Sequence, residues 1–339
     1  MDLGAVVRTP VYVKCARQFS GKPITRRCDS QVEWYSRIGI PGVGMVKSLH
    51  AAFPIAMVLL LMANPAPQTM TRNITVEGMS FGYVDLGSGP PVILIHGSIS
   101  DYREWSKQLE ALAKHHRVIA YSRRYHWPNS PPGKDADATV PRQAADLAAI
   151  IKSLRLAPAS IVGHSYGGTV ALFLALQHPE LVRTLVLLEP PVPGVLVNTP
   201  ESEGLVKESQ AVRDEMKQAF ASSDAERIVR TYLARVAPGE FDNAPPETRN
   251  VYRANVPAFR LDFTSPRPSL SCEDIQRIAA PALVLTGGRS PMGLQQMAAG
   301  VAHCLKGGNI LRFPQATHHM QLDHPQEFND AVLAFLAKH

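Results

Sequence analysis

Gly163-His164-Ser165-Tyr166-Gly167 stands between an apolar run, Ala159 to Val162, and a helix-forming stretch, Thr169 to Gln177. A short apolar run that stops at a glycine and gives way to a helix predicts a strand–turn–helix with Ser165 at its apex. The flanking glycines suit a turn too tight for a Cβ on either side, and strain there lifts the serine hydroxyl clear of the sheet. The bland reading is a plain turn serine. The strand, both glycines and the helix together favour a nucleophile exposed by the backbone itself.

Two further segments agree with that reading. Pro91-Val92-Ile93-Leu94-Ile95 has the continuous apolar character of a strand buried on both faces, and it ends in the small-residue turn His96-Gly97-Ser98. Such a turn can aim a backbone N–H at a developing oxyanion. Near the C-terminus, a short strand at Ile310 to Phe313 precedes Thr317-His318-His319 and Asp323-His324-Pro325, which opens an amphipathic helix, Gln326 to Ala337. A histidine on that loop sits where a general base is needed, with His318, His319 and His324 as candidates.

In this order the segments resemble the α/β-hydrolase fold superfamily, over residues 71 to 339. The resemblance implies a mostly parallel, doubly wound sheet with a helical cap insertion. It implies Ser165 as nucleophile, His318 as base, and the N–H groups of Ser98 and Tyr166 as the oxyanion hole. His318 is selected over His319 because the family's histidine precedes an acidic residue by five positions, which Asp323 matches. The family's usual glycine before the histidine is replaced by Thr317.

The triad acid departs from the common family pattern. Where an aspartate is expected after the strand Pro281 to Leu285, the chain reads Thr286-Gly287-Gly288-Arg289-Ser290, and no carboxylate occurs between Asp274 and Asp323. Glu189, at the end of the preceding strand Thr184 to Leu188, keeps the order Ser–acid–His and has the charge to hold an imidazole tautomer and stabilise the imidazolium. The alternative for Glu189 is a cap or rim residue before Pro190-Pro191. If no acid reaches His318, a non-catalytic, small-molecule-binding member becomes the better reading; hydrogen-bond reach between Glu189 and His318 separates the two.

Between Glu189 and Pro281 strand–helix alternation gives way to helices alone, predicted over Glu203 to Ala221, Asp224 to Val236 and Glu247 to Ala258. The expected organisation is an N-terminal extension, residues 1–70, a core formed by 71–190 and 276–339, and an insert, 191–275, which the resemblance makes a cap over the site. Trp105, on the first helix after the oxyanion turn, is expected to line the pocket. Arg123-Arg124, after the strand Val118 to Tyr121, is read as forming structural salt bridges under its loop, with binding of a substrate carboxylate as the alternative.

The formal charge of +6 is concentrated at the N-terminus: residues 1–50 hold eight Lys or Arg and three acids. The basic balance therefore belongs to the extension and gives no reason to expect nucleic acid as a partner. Residues 51 to 63, AAFPIAMVLLLMA, form an apolar run of thirteen, too short for a bilayer span but suited to a signal-peptide core starting from Met45. The alternative is a hydrophobic helix packed on the domain. Cys15 and Cys28 fall in this leader, and Cys272 and Cys304 read as ordinary small core or near-surface residues. There is no metal-ligand cluster or phosphate-binding glycine loop, so neither metal nor cofactor is expected, and nothing indicates an oligomeric state.

The resulting expectation is a serine hydrolase acting on an ester or related acyl bond of a small apolar molecule through an acyl-enzyme. A serine at the elbow argues against the alkyl-enzyme chemistry of haloalkane dehalogenases and epoxide hydrolases, which use aspartate there. Carbon–carbon bond hydrolysis and cofactor-free haloperoxidase chemistry on the same groups stay open.

Overall fold

The structure is a computed structural model that describes residues 70–196, 200–266 and 269–339. The expected export signal at 51–63, with Cys15 and Cys28, lies outside the described residues.

The first half of the chain supplies β1 (Arg72–Val76), β2 (Met79–Leu86), β3 (Pro91–Ile95), α1 (Ser106–Ala113), β4 (Arg117–Tyr121), α2 (Val140–Ser153), β5 (Ala159–His164), α3 (Tyr166–Gln177) and β6 (Val182–Leu188). An insert follows, with α4 (Pro200–Ala221), α5 (Ala225–Val236), α6 (Glu240–Asn243), α7 (Pro246–Ala254) and α8 (Val256–Thr264). The chain then returns through α9 (Cys272–Gln276), β7 (Ala282–Gly287), α10 (Met292–Cys304), β8 (Asn309–Phe313), α11 (Met320–Asp323) and α12 (Pro325–Leu336).

The eight strands form one sheet in the order β1-β2-β4-β3-β5-β6-β7-β8. β1 and β2 pair antiparallel with each other, β2 runs antiparallel to β4, and every other pairing is parallel. Side chains alternate across each strand, so both faces need cover. Ile93, Ile95, Ile161, Leu185 and Leu187 pack on one face with Leu147, Ile151, Val170 and Val301 from α2, α3 and α10. Val92, Leu94, Val162, Val186 and Leu188 pack on the other with Leu109, Leu112, Phe328 and Val332 from α1 and α12. This is the doubly wound, mostly parallel sheet that the family resemblance implied; the antiparallel pair β1–β2 was not foreseen.

The insert has its own apolar cluster, including Met216, Phe220, Ile228, Leu233, Phe241 and Phe259, to which the core contributes Ile99. Its third helix is not the continuous segment expected over Glu247 to Ala258. It breaks at Asn255, because Pro257 has no N–H to donate to the Arg253 carbonyl four residues back and its ring crowds that carbonyl. Asn255 turns the break into a tie to the core: Nδ2 donates to Asp101 Oδ2 (2.7 Å) and Oδ1 accepts from the Trp127 N–H (2.8 Å).

A second correction concerns the cysteines. Cys272 on α9 and Cys304 on α10 are joined in a disulfide, with Cα atoms 5.2 Å apart. Their 32-residue separation hid a proximity created by the β7 crossover. Among the described residues, no helix is long and apolar enough to cross a membrane.

Candidate active site

The sharp turn after β5 puts Ser165 in backbone that side chains rarely adopt, φ 50° and ψ −120°. The turn is held by the Ser165 N–H donating to Leu188 O (2.8 Å) and by Gly168 N–H donating to Ser165 O (2.9 Å). The two glycines are required by crowding. A Cβ on Gly163 would meet Gly167 O at 2.7 Å, and one on Gly167 would meet Ile95 O at 2.5 Å and His96 O at 2.6 Å. The helix after Ser165 is thereby pressed against the turn after β3. A Cβ on Gly97 would stand 3.5 Å from Ser165 Cβ, which shows how closely that turn approaches the serine.

β6 ends next to β5 and β7, and Glu189 leaves it with φ 43°. Its fully buried carboxylate is saturated with donors. Oε1 accepts from Thr286 Oγ1 (2.7 Å) and Gly287 N–H (2.8 Å), and Oε2 lies 2.7 Å from His318 Nδ1. Burial pushes the Glu189 pKa up, but His318 and these two donors outweigh it and hold the carboxyl below its ordinary range. Burial also brings His318 down to about 4, against the opposing pull of Glu189. At neutral pH the pair is therefore carboxylate and neutral imidazole, with the proton on Nδ1. Nε2 is buried and makes no hydrogen bond. A neutral ring with its tautomer fixed and one lone pair open can take up a proton.

Ser98 lines the same pocket as Ser165, together with residues of the insert such as Tyr232 and Tyr252. Tyr166 is buried under that site, its hydroxyl donating to Ala138 O at 3.1 Å. The space enclosed there is about 10 Å³, room for about one water. Ser290, where the family's aspartate was sought, is buried near Gly287, and its hydroxyl has no partner.

Trp105 does not line the pocket. Residues Tyr102–Trp105 form a single 3-10 turn, whose roughly three residues per turn direct neighbouring side chains to different sides. Glu104 faces the pocket, while the Trp105 indole is fully buried under the sheet, its ring 6.3 Å from that of Phe328. The Arg123-Arg124 pair forms buried salt bridges: Arg123 with Asp262 (2.7 Å) and Arg124 with Asp146 (2.6 Å).

Beside His319, already a candidate base, several polar residues at the site were not singled out by sequence. Glu104 Oε2 accepts from Gly97 N–H (3.1 Å), and Oε1 lies 2.9 Å from His164 Nδ1. His164 Nε2 donates to His318 O (3.1 Å), so these two side chains link the turn after β3 to the histidine loop. His319 pairs with Glu240 of α6, which also accepts from Tyr252 Oη. Burial alone would lower the His319 pKa, but Glu240, Glu104 and Asp323 raise it to about 9. No local pattern marks these pairs, because their members come from different elements.

Comparison with known proteins places the chain among relatives of one architecture. The family model of the alpha/beta hydrolase fold matches residues 90–325. The chain is 26% identical over 267 residues to the (E)-2-((N-methylformamido)methylene)succinate hydrolase of Acinetobacter baylyi, covering 75% of this chain and 93% of that protein. It is 29% identical over 297 residues to the 2-hydroxymuconate semialdehyde hydrolase of a Pseudomonas species, covering 80% and 97%. Among solved structures, a thermophilic esterase from Thermogutta terrifontis superposes with a TM-score of 0.64 at 23% identity, covering 79% of this chain and 98% of that one.

Proposed function

The chain belongs to the α/β-hydrolase fold family, and within it we propose a serine hydrolase that cleaves an ester or related acyl bond of a small, largely apolar molecule. The observation that carries this reading is the 2.7 Å contact between Glu189 and His318, which leaves Nε2 as an open base. The same contact argues against a non-catalytic binder, for which no acid would need to reach the histidine.

In this mechanism His318 Nε2 takes the Ser165 hydroxyl proton as Oγ attacks the acyl carbon. The carbonyl π pair moves onto oxygen, which the Ser98 and Tyr166 N–H groups receive. Collapse expels the leaving oxygen, which takes the proton from His318, and an acyl-enzyme remains. Water, deprotonated by His318, attacks the acyl carbon; the bond to Ser165 Oγ breaks as Oγ takes the proton back from His318, and the acid is released. Glu189 stays a carboxylate throughout, holding the ring and stabilising the imidazolium. The α4–α8 insert acts as the cap, since its Tyr232 and Tyr252 help to line the pocket.

Hydrolysis of a carbon–carbon bond by the same groups is the second reading, favoured by the likeness to the Pseudomonas 2-hydroxymuconate semialdehyde hydrolase. A screen of p-nitrophenyl esters of graded acyl length, run on the wild type and Ser165→Ala, tests the proposal. Short acyl chains are expected to react, and Ser165→Ala to lose both turnover and labelling by an organofluorophosphonate. Labelling retained at another serine rejects the assignment of the nucleophile. Turnover of 2-hydroxymuconate semialdehyde in preference to every ester selects the second reading.

A further inference from the structure

Behind the Gly97–Ser98 peptide lies a buried guanidinium that the reaction itself does not use. Every N–H direction of Arg123 meets an acceptor. Nε donates to His96 O (3.1 Å), Nη1 to Gln143 Oε1 (2.6 Å) and Asp262 Oδ1 (3.2 Å), and Nη2 to Gly97 O (2.9 Å) and Asp262 Oδ2 (2.7 Å). Two of these acceptors are main-chain carbonyls of the oxyanion turn. The Gly97 carbonyl also accepts from His96 Nδ1 (2.7 Å), whose tautomer is fixed because His96 Nε2 accepts the Arg123 N–H (2.9 Å). Burial, then the charge of Arg123, keeps the His96 ring neutral. The guanidinium also stands 4.8 Å from the centre of the Tyr166 ring, so it meets both the peptide that carries the Ser98 N–H and the side chain of the other residue assigned to the oxyanion.

The Gly97 carbonyl and the Ser98 N–H belong to one planar, conjugated unit and point in opposite directions. Two donors on the oxygen, one of them charged, fix the plane of that unit. They also draw electron density away from its nitrogen, which makes the N–H a stronger donor. The guanidinium is itself seated by Asp262, on α8 of the cap, and Asp262 Oδ2 also lies 3.2 Å from His126 Nε2.

We propose that Arg123 is a positioning residue that aims and polarises the Ser98 N–H, and that Asp262 couples this to the seating of the cap, so that the oxyanion site is complete only with α8 docked. The inference rests on the serine-hydrolase reading above. A buried ion pair is weak evidence for stability, so the alternative of simple structural bracing must be separated by a readout specific to the transition state.

The test compares Asp262→Asn, Arg123→Lys and the double variant Arg123→Met/Asp262→Leu with the wild type in ester hydrolysis. The double variant removes both charges together and so remains usable if either single change leaves a buried charge that prevents folding. Each is also assayed against a trifluoromethyl ketone, which adds to a serine to give a charged tetrahedral adduct, and against the matching secondary alcohol, which forms none. The expected result is a fall in kcat of about 10- to 100-fold, a change in KM below about threefold, and ketone affinity reduced in proportion to kcat with alcohol affinity unchanged. A folded variant with kcat within about threefold of wild type, or equal losses for ketone and alcohol, overturns the inference. Activity surviving in Ser165→Ala instead rejects the underlying mechanism. An inactive Ser165→Ala beside an unimpaired Asp262→Asn rejects this inference alone.

Discussion

Glu189 and His318 are 129 residues apart in sequence, yet their carboxylate and imidazole meet at 2.7 Å with both side chains buried. The acid comes from the end of β6, and the neighbouring strand β7 supplies its carboxylate with the Thr286 hydroxyl and the Gly287 N–H.

If Glu189 holds the tautomer of His318 and stabilises its protonated form, Glu189→Gln preserves the shape and removes the charge. The expected loss in kcat is about 10²- to 10⁴-fold, with little change in KM. Steady-state kinetics on the purified variant check this, and a kcat near the wild-type value would direct the search to another acid or to a Ser–His dyad.

The base must be neutral to accept a proton, and burial brings the His318 pKa to about 4. Protonation removes the base, so activity falls as pH falls through that value. The acid limb of kcat/KM should therefore lie near pH 4, leaving the profile flat between pH 5.5 and 7. A limb near 6.5, the ordinary value for histidine, would show the ring to be solvated in the free enzyme.

The α4–α8 insert is tied to the core by the His319–Glu240 pair, with His164 and His318 also facing the ring. The folded pKa of about 9 exceeds the unfolded value of 6.5, so the stabilisation is complete below about pH 6.5 and lost as pH rises through 9. It amounts to at most about 3 kcal/mol. Thermal unfolding from pH 6 to 10 should show a decline in wild-type Tm that is much shallower in Glu240→Gln. Parallel profiles for the two proteins would reject the pair as the source.

The Cys272–Cys304 disulfide spans 32 residues, for which the chain-entropy model gives about 3 to 4 kcal/mol of stabilisation. Protein purified without reductant should show neither cysteine alkylated, and reduction or Cys304→Ser should lower Tm by several degrees without abolishing ester turnover. Full alkylation of both thiols in the native, unreduced protein would contradict the bond.

Much of the architecture was legible locally. The runs at Pro91–Ile95, Ala159–Val162 and Thr184–Leu188 read as buried strands because residues covered on both faces must be apolar at every position. Gly163, Ser165 and Gly167 marked the turn because the backbone there has no room for other side chains. The family resemblance, in which some members carry the acid at this strand end, together with the lack of a carboxylate between Asp274 and Asp323, pointed to Glu189. Trp105 was misjudged because a 3-10 turn, not an α-helix, sets its direction.

The strand and helix order, the Ser165 turn, and a short list of acids and histidines for the site were thus readable along the chain. Only the tertiary structure decided the pairings: Glu104 with His164, Glu240 with His319, Arg123 with Asp262 and Cys272 with Cys304. Strand formation and tight turns are imposed by neighbours along the chain, so their signals are written locally. Each pairing joins residues on separate elements that meet only after the sheet has stacked its strands out of chain order and the insert has folded over them, and no periodicity or spacing encodes where two such side chains will meet.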